Sequence, residues 1–225
     1  MSPPADGRST ILAIDSATTR VVVAVGTLGG ELIETTEWPA GYRHGETLLP
    51  TIASLLDRLE LARSSLAAVV VGTGPGAFTG LRVGLATAKG LAHGLGVAII
   101  GISTAAALLD GAPAEAILLL PAGPADRLVV RRGAPARLLP AGEPPPTVDD
   151  GMLVAVDLAG RAPADALERG ETARARLGGA LIALGAARLA SGEVDDLAGL
   201  VPEYVTLPRG VTGTNGEVSW SRDRR

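Results

Sequence analysis

Gly72-Thr73-Gly74-Pro75-Gly76-Ala77-Phe78-Thr79-Gly80-Leu81-Arg82 is the most informative stretch of this 225-residue chain. An apolar run at residues 69–71 leads into it, and the pattern after it predicts an apolar helix over about residues 78–93. Its four glycines and one proline predict a backbone that another segment of the chain or a ligand can approach closely. Two interpretations follow: a tightly packed strand-to-helix turn, or an anion site made of free amides at a helix N-terminus.

Two familiar phosphate motifs are poorly matched here. A P-loop needs a lysine followed by Ser or Thr after its second glycine, and none follows Gly80. The spacing of Gly72, Gly74 and Ala77 fits the loose dinucleotide pattern, which also needs an acidic residue about twenty positions on, at the end of the next strand. The next predicted strand, residues 97–103, offers none.

The composition of the chain argues against several classes of function. The chain has a formal net charge of −4, five aromatic residues (one Phe, two Trp and two Tyr) and no cysteine. Scattered arginines and few aromatics argue against autonomous nucleic-acid binding. The lack of cysteine excludes disulfides, thiolate catalysis and Cys-ligated zinc. With no signal-like start and no apolar run long enough to span a bilayer, we expect a cytoplasmic protein.

The predicted elements come in a recognisable order. Three strands are followed by helix, strand, helix, strand and short helix, which predicts an antiparallel trio and two right-handed crossovers. This α/β layout resembles the ribonuclease H-like fold of the actin, sugar-kinase and Hsp70 superfamily, a mixed five-stranded sheet with helices on both faces. The predicted bounds are strands 11–14, 21–25, 32–38, 66–72 and 97–103, with helices 47–59, 78–93 and 104–110.

The second half gives a weaker signal and predicts a smaller, degenerate lobe. Its expected elements are strands 117–120, 128–132, 152–156 and 201–207, a proline-rich loop at 140–146 and a helix over 172–189. We expect a disordered start (1–10), an N-terminal lobe (11–110), a C-terminal lobe (111–208) and a disordered tail (209–225).

The helix over residues 78–93 has a narrow polar stripe. At 100° per residue, Arg82, Lys89 and His93 fall within about 40° of one another, and the rest of its surface is apolar or small. A helix that covers one face of a sheet needs one apolar side. The second uncharged side predicts contact with another element, either the preceding helix or a protein partner. Pro50 is expected in the first turn of that preceding helix, and His44 just before the helix begins.

Asp15, at the end of the first strand, is the carboxylate best placed to hold Mg²⁺, with Asp157 as a candidate second ligand. The alternative is that Asp15 accepts backbone amides of its own turn. His44 and His93 lie on different elements, so no histidine metal pair is expected. The possible nucleotide site or structural glycine turn comprises Asp15, Thr18, Gly74, Pro75, Gly76, Thr79 and Gly80.

Four motifs together resemble the TsaB (YeaZ) family, continuously from about residue 11 to residue 109. They are Ile11-Leu12-Ala13-Ile14-Asp15-Ser16-Ala17-Thr18, His44 with Leu49-Pro50, Gly74 through Gly84, and Lys89-Gly90-Leu91-Ala92. The resemblance implies a non-catalytic, activating subunit that pairs with TsaD and works with the ATPase TsaE. Their complex transfers a threonylcarbamoyl group to adenosine 37 of tRNAs that read codons starting with A.

The same resemblance implies that the lone chain binds no cofactor and forms a homodimer, and that tRNA, ATP/Mg and threonylcarbamoyl-adenylate act in the complex. It places the surface for TsaD, or for a second copy, on the helices over about 47–59 and 78–93. The expected interface residues are Leu48, Leu49, Ile52, Leu55, Leu56, Phe78, Arg82, Leu85 and Lys89.

The chain departs from related patterns at three places. TsaD has a metal-binding H-x-x-x-H after its fifth strand, whereas residues 103–108 here contain no histidine. Residues 119–123 replace the family's Asp-Ala-Arg segment. The family's Pro-x-Tyr-Leu-Arg pattern is reduced to Pro202-Glu203-Tyr204-Val205-Thr206, without the arginine.

Two other functions are alternatives to the role of a partner subunit. An autonomous nucleotide-dependent phosphotransferase would use Asp15 and the Gly74-Pro75-Gly76 turn. A peptidase would need a base beside a nucleophile, and no arrangement of Ser, Thr and His in this sequence provides one.

Overall fold

A five-stranded mixed sheet forms the centre of the molecule in this computed structural model, which describes residues 7–40, 44–148 and 152–205. Its strands are β1 (Thr10–Asp15), β2 (Arg20–Thr27), β3 (Leu32–Pro39), β4 (Leu66–Gly72) and β5 (Ala98–Ile102). Their order is β3-β2-β1-β4-β5, with β1 antiparallel to β2 and parallel to β4. β1 is buried along its whole length, as its unbroken apolar run requires.

Helices cover both faces of this sheet. On one face, α1 (His44–Arg58) and α2 (Phe78–Leu95) share a core with the β-strands through Leu55, Leu85 and Val69. On the other face, α3 (Thr104–Leu108) and α4 (Ala164–Ala190) pack around Val70 and Leu181. The α/β, ribonuclease H-like fold predicted from the sequence is thereby confirmed.

A second, four-stranded sheet follows in the chain. It consists of β6 (Ile117–Ala122), β7 (Asp126–Arg131), β8 (Arg137–Leu139) and β9 (Leu153–Ala155), in the order β8-β7-β6-β9. α4 spans the two sheets: Gly170 lies against Ala155 of β9, and Gly185 lies against Val70 of β4. One long helix therefore belongs to the cores of both lobes.

Several predicted bounds need correction. α1 begins at His44, three residues before the predicted start, so Pro50 lies inside the helix and not in its first turn. α4 begins at Ala164 and not at 172, and the three-residue β8 was not predicted. Residues 201–205 form no strand, and the rest of that predicted strand lies outside the described residues.

The two ends of the chain are only partly described. Within the start that was expected to be disordered, the Ser9 amide donates to the Ser65 carbonyl at 2.8 Å, and Thr10 begins β1. Residues 1–6 and the tail from 206 onward lie outside the described part. No helix of the described part is both long and apolar enough to cross a bilayer.

The fit between α4 and β9 can be tested with a matched pair of glycine substitutions. A Cβ on Gly170 would lie 1.8 Å from the backbone carbonyl oxygen of Ala155, whereas one on Gly90 of α2 meets no described atom within 4 Å. Gly170→Ala is expected to lower the free energy of unfolding by about 1–3 kcal/mol, because backbone must move. Gly90→Ala should raise it by about 0.5–1 kcal/mol through helix propensity.

Urea denaturation followed by circular dichroism measures both changes. If Gly170→Ala unfolds at the same urea concentration as the unsubstituted chain, this packing of α4 on β9 is incorrect.

Candidate functional site

The glycine turn packs directly against the turn between β1 and β2. The amide of Ala77 donates to the carbonyl of Ala17 at 2.7 Å, and the hydroxyl of Ser16 donates to the carbonyl of Gly80 at 2.8 Å. A Cβ on Gly76 would lie 2.2 Å from the Ala17 carbonyl oxygen, and one on Gly80 would lie 2.1 Å from that of Ser16. Glycine is required here because backbone meets backbone, which favours the packed-turn interpretation.

Gly74 connects this turn to α3. Its φ of +100° lies in the left-handed region, and its amide donates to the Thr104 hydroxyl at 3.1 Å. Its carbonyl accepts the Ser103 hydroxyl at 3.1 Å, and the following Pro75 is buried. Thr18 is also buried, and its hydroxyl donates to the carbonyl of Arg20 at 2.9 Å.

Asp15 lies beneath the turn, fully buried. One of its oxygens accepts the Ala17 amide at 2.9 Å and the other accepts the Thr104 hydroxyl at 2.6 Å. Burial raises the pKa of Asp15 to about 6, and these two hydrogen bonds hold it lower than burial alone would. A Cβ on Gly72 would lie 1.8 Å from the Asp15 carboxylate, so the neighbouring strand leaves no room beside it.

Asp157 does not join Asp15 in a metal site. Its carboxylate accepts the Thr19 amide at 2.7 Å and the Thr19 hydroxyl at 2.5 Å, and Arg174 lies 3.7 Å away. It therefore ties the second lobe to the β1–β2 turn. No cluster of three or more potential metal-ligating side chains occurs in the part of the chain described here. The carboxylates of Asp15 and Asp157 do not fit a shared magnesium site, because protein donors already bond to both oxygens of each.

A cleft of about 740 Å³ separates the glycine turn from the second sheet. The ionisable groups that line it are all acidic: Asp126, Asp157 and Glu203. Partial burial raises the pKa of Glu203, and a bond from the Ser103 hydroxyl partly offsets this effect. Such a lining disfavours a polyphosphate, since like charges repel strongly where water is partly excluded.

Five of the nine expected interface residues are buried in the chain's own core, and that part of the prediction needs correction. Each is at most 6% exposed: Leu48, Ile52, Leu55, Leu56 and Leu85. A side chain that already packs against the sheet cannot also contact a partner. Leu49, by contrast, is 51% exposed; Arg82 is exposed, and Phe78 and Lys89 are half-buried.

α2 presents three different sides. Its large apolar residues face the sheet and α1, and its cationic stripe faces residues 193–205, where Lys89 donates to the Ala198 carbonyl at 3.5 Å. The third side carries no charge. Thr79, Ala86, Gly90 and Gly94 are exposed on it, and Val83 and Thr87 are partly buried. Beside it, Leu49, Ala53, Leu91 and Leu95 line an apolar groove between α1 and α2.

The two histidines belong to different helices: His93 is exposed near the end of α2, and His44 is the first residue of α1. No site or interface residue was predicted within residues 193–205, yet this segment packs against the first lobe. Asp195 pairs with the edge of β5: its amide donates to the Ile99 carbonyl at 2.9 Å, and its carboxylate accepts the Gly101 amide at 2.7 Å.

The burial of Asp15 predicts a distinctive pH dependence. A carboxyl whose pKa is raised by folding holds its proton more tightly in the native state, so native stability falls as the pH rises from about 4 to about 6. Relative to the unsubstituted chain, Asp15→Asn should gain about 3 kcal/mol over this range.

Denaturation curves of both proteins at several pH values give this difference directly, because all other groups cancel. A stability difference that stays constant, or that moves in the opposite direction, would show that the Asp15 carboxyl is not buried as described.

Comparisons of the sequence and of the fold with known proteins point to the same group of proteins. The sequence model of TsaD, described as tRNA N6-adenosine threonylcarbamoyltransferase, matches residues 39–132. An uncharacterized protein of Mycobacterium leprae is 44% identical over 98 residues, covering 42% of this chain and 27% of that protein. The tRNA threonylcarbamoyladenosine biosynthesis protein TsaB of Escherichia coli is 35% identical over 102 residues, covering 45% of this chain and 43% of its own length.

The matches therefore span less than half of these relatives' length. YeaZ from Pseudomonas aeruginosa is a structural neighbour with a TM-score of 0.64 and 23% identity, covering 88% of this chain and 100% of its own, which establishes a shared fold. The first lobe is thus similar in sequence to TsaB proteins, and the described residues share the fold of YeaZ.

Proposed function

We propose that this chain is the non-catalytic, activating subunit of a complex whose TsaD-type subunit transfers threonylcarbamoyl to adenosine 37 of tRNAs that read codons starting with A. The observation that carries the proposal is a contrast within one lobe. The glycine turn is packed against the turn after β1, and the open cleft beside them is lined by carboxylates. A neighbouring helix face, by contrast, is at least partly exposed and carries no charge.

The first half of the contrast argues against independent catalysis. Asp15 is fully buried with both oxygens bonded, and the Ala17 carbonyl accepts the Ala77 amide at the entrance to α2. A phosphate has no room between the two turns themselves, and in the adjoining cleft it would face the carboxylates of Asp126, Asp157 and Glu203. No observation favours the autonomous phosphotransferase. A peptidase is no better supported, because the hydroxyls of Ser16 and Ser103 donate to backbone carbonyls.

The second half of the contrast supports a protein partner. The outward side of α2, built from Ala86, Gly90 and their neighbours, would let another helix approach closely. Leu49 stands beside it at the rim of the apolar groove. The surface we propose for TsaD consists of Leu49, the outward side of α2, and the exposed parts of Phe78, Arg82 and Lys89.

The remaining parts of the proposal follow from the resemblance to the TsaB (YeaZ) family. The complex works in the cytoplasm with the ATPase TsaE, and tRNA, ATP/Mg and threonylcarbamoyl-adenylate are bound by the assembly and not by this chain alone. In the absence of TsaD, a second copy of the chain covers the same surface and forms a homodimer.

Two leucine substitutions separate this surface from the core. Leu49→Glu should leave the free energy of unfolding within about 0.5 kcal/mol of the unsubstituted value, since Leu49 is 51% exposed. It should weaken binding to TsaD about tenfold or more, because a charge would lie in an apolar contact. Leu85→Glu should instead cost about 3 kcal/mol or more of stability, because it buries an unpaired carboxylate.

Titration calorimetry with purified TsaD, together with threonylcarbamoyl transfer to tRNA, checks both variants. Failure of the unsubstituted chain to bind TsaD, even with TsaE, nucleotide and tRNA present, would contradict the proposed function. Undiminished binding of Leu49→Glu would contradict the proposed surface alone.

A further inference from the structure

At the rim of the cleft, Arg82 packs over the Phe78 ring and forms a hydrogen bond to the Tyr204 hydroxyl. Its guanidinium carbon lies 3.8 Å above the centre of the Phe78 ring, and its Nε donates to the Tyr204 hydroxyl at 2.8 Å. The two rings are themselves in contact, with centroids 5.1 Å apart. Neither terminal amino group of Arg82 has a hydrogen-bond partner among the residues described. The guanidinium is thus fixed in place with its outer donors uncommitted.

Tyr204 is held in turn by the segment that precedes it. The amide of Glu203 donates to the Thr73 carbonyl at 2.8 Å. Farther back, Arg188 donates to Asp195 at 3.0 Å and to the Gly101 carbonyl at 2.8 Å, which secures the segment against β5. Because folding already orders this side chain, a ligand that binds Arg82 loses little further conformational entropy on binding.

The chemistry of the site selects one class of ligand. A planar guanidinium with free amino groups matches a carboxylate or a phosphate. Phosphate is the poorer match, because the adjoining cleft presents Asp126 and Glu203, and Lys89 is directed to the Ala198 carbonyl. Nucleic-acid binding needs clustered cations, and the chain carries a formal net charge of −4.

We propose that Phe78, Arg82 and Tyr204 form a binding site for a single carboxylate side chain of the TsaD-type partner. This inference rests on the proposed function and adds to it the chemistry of one contact. The site adjoins the uncharged side of α2, since Thr79 and Ala86 lie within one turn of Arg82. Interfaces commonly place an ordered arginine and tyrosine beside an apolar centre, where they contribute much of the affinity.

Titration calorimetry with TsaD at low and high salt tests the site with graded variants. Arg82→Ala should weaken binding about tenfold or more and reduce the salt dependence. Arg82→Lys keeps the charge but loses the planar fork, so it should recover only part of that loss. Tyr204→Phe removes the bond to Nε and should weaken binding about threefold. Arg137→Ala, an exposed arginine on β8, is the control of equal charge and should bind normally.

The outcomes separate this inference from the proposed function. If the unsubstituted chain does not bind TsaD, both are overturned. If it binds and Arg82→Ala binds equally well, only the carboxylate site is overturned. Titrations of ATP and of tRNA into the lone chain complete the test: saturable binding that Arg82→Ala abolishes would assign the site to a phosphate and overturn the inference. Thermal melts establish that each variant is folded.

Discussion

The first lobe depends on how closely the glycine turn approaches the turn that follows β1. Backbone packs against backbone there, with the Ala77 amide on the Ala17 carbonyl and no room for a Cβ at Gly76 or Gly80. This contact sets the position of α2 relative to the sheet. It also leaves no room for a ligand between the two turns, so the same steric constraint that builds the lobe confines any ligand to the adjoining cleft.

The buried carboxyl beneath this turn has a structural role. Asp15 ties the end of β1 to its own turn through Ala17 and to α3 through Thr104, and Thr104 in turn accepts the Gly74 amide. A carboxyl that reacted with a phosphate through a metal ion would need free oxygens. At the rim of the cleft, Arg82 is exposed beside the uncharged side of α2.

The first sheet was predicted well from the sequence because several of its strands contain runs of β-branched residues, such as Val21 to Val25, which strongly favour strands. The second lobe was predicted poorly. β8 is three residues long, and the first turns of α4 lack a clear apolar stripe. Helical periodicity placed Leu85 on an apolar side of α2, but it could not say which of the two apolar sides packs against the sheet. The contact between Arg82 and Tyr204 joins residues 122 apart, a distance that no local pattern reports.

Threonylcarbamoyl transfer to tRNA by TsaD and TsaE, measured at pH 7 with this chain, with its Asp15→Asn variant and with neither, tests the central claim most directly. The account predicts that activity requires the chain and that Asp15→Asn supports it as well as the unsubstituted protein, because Asp15 only supports the fold. Loss of transfer with a folded Asp15→Asn chain that still binds TsaD would contradict the account and assign chemistry to this subunit.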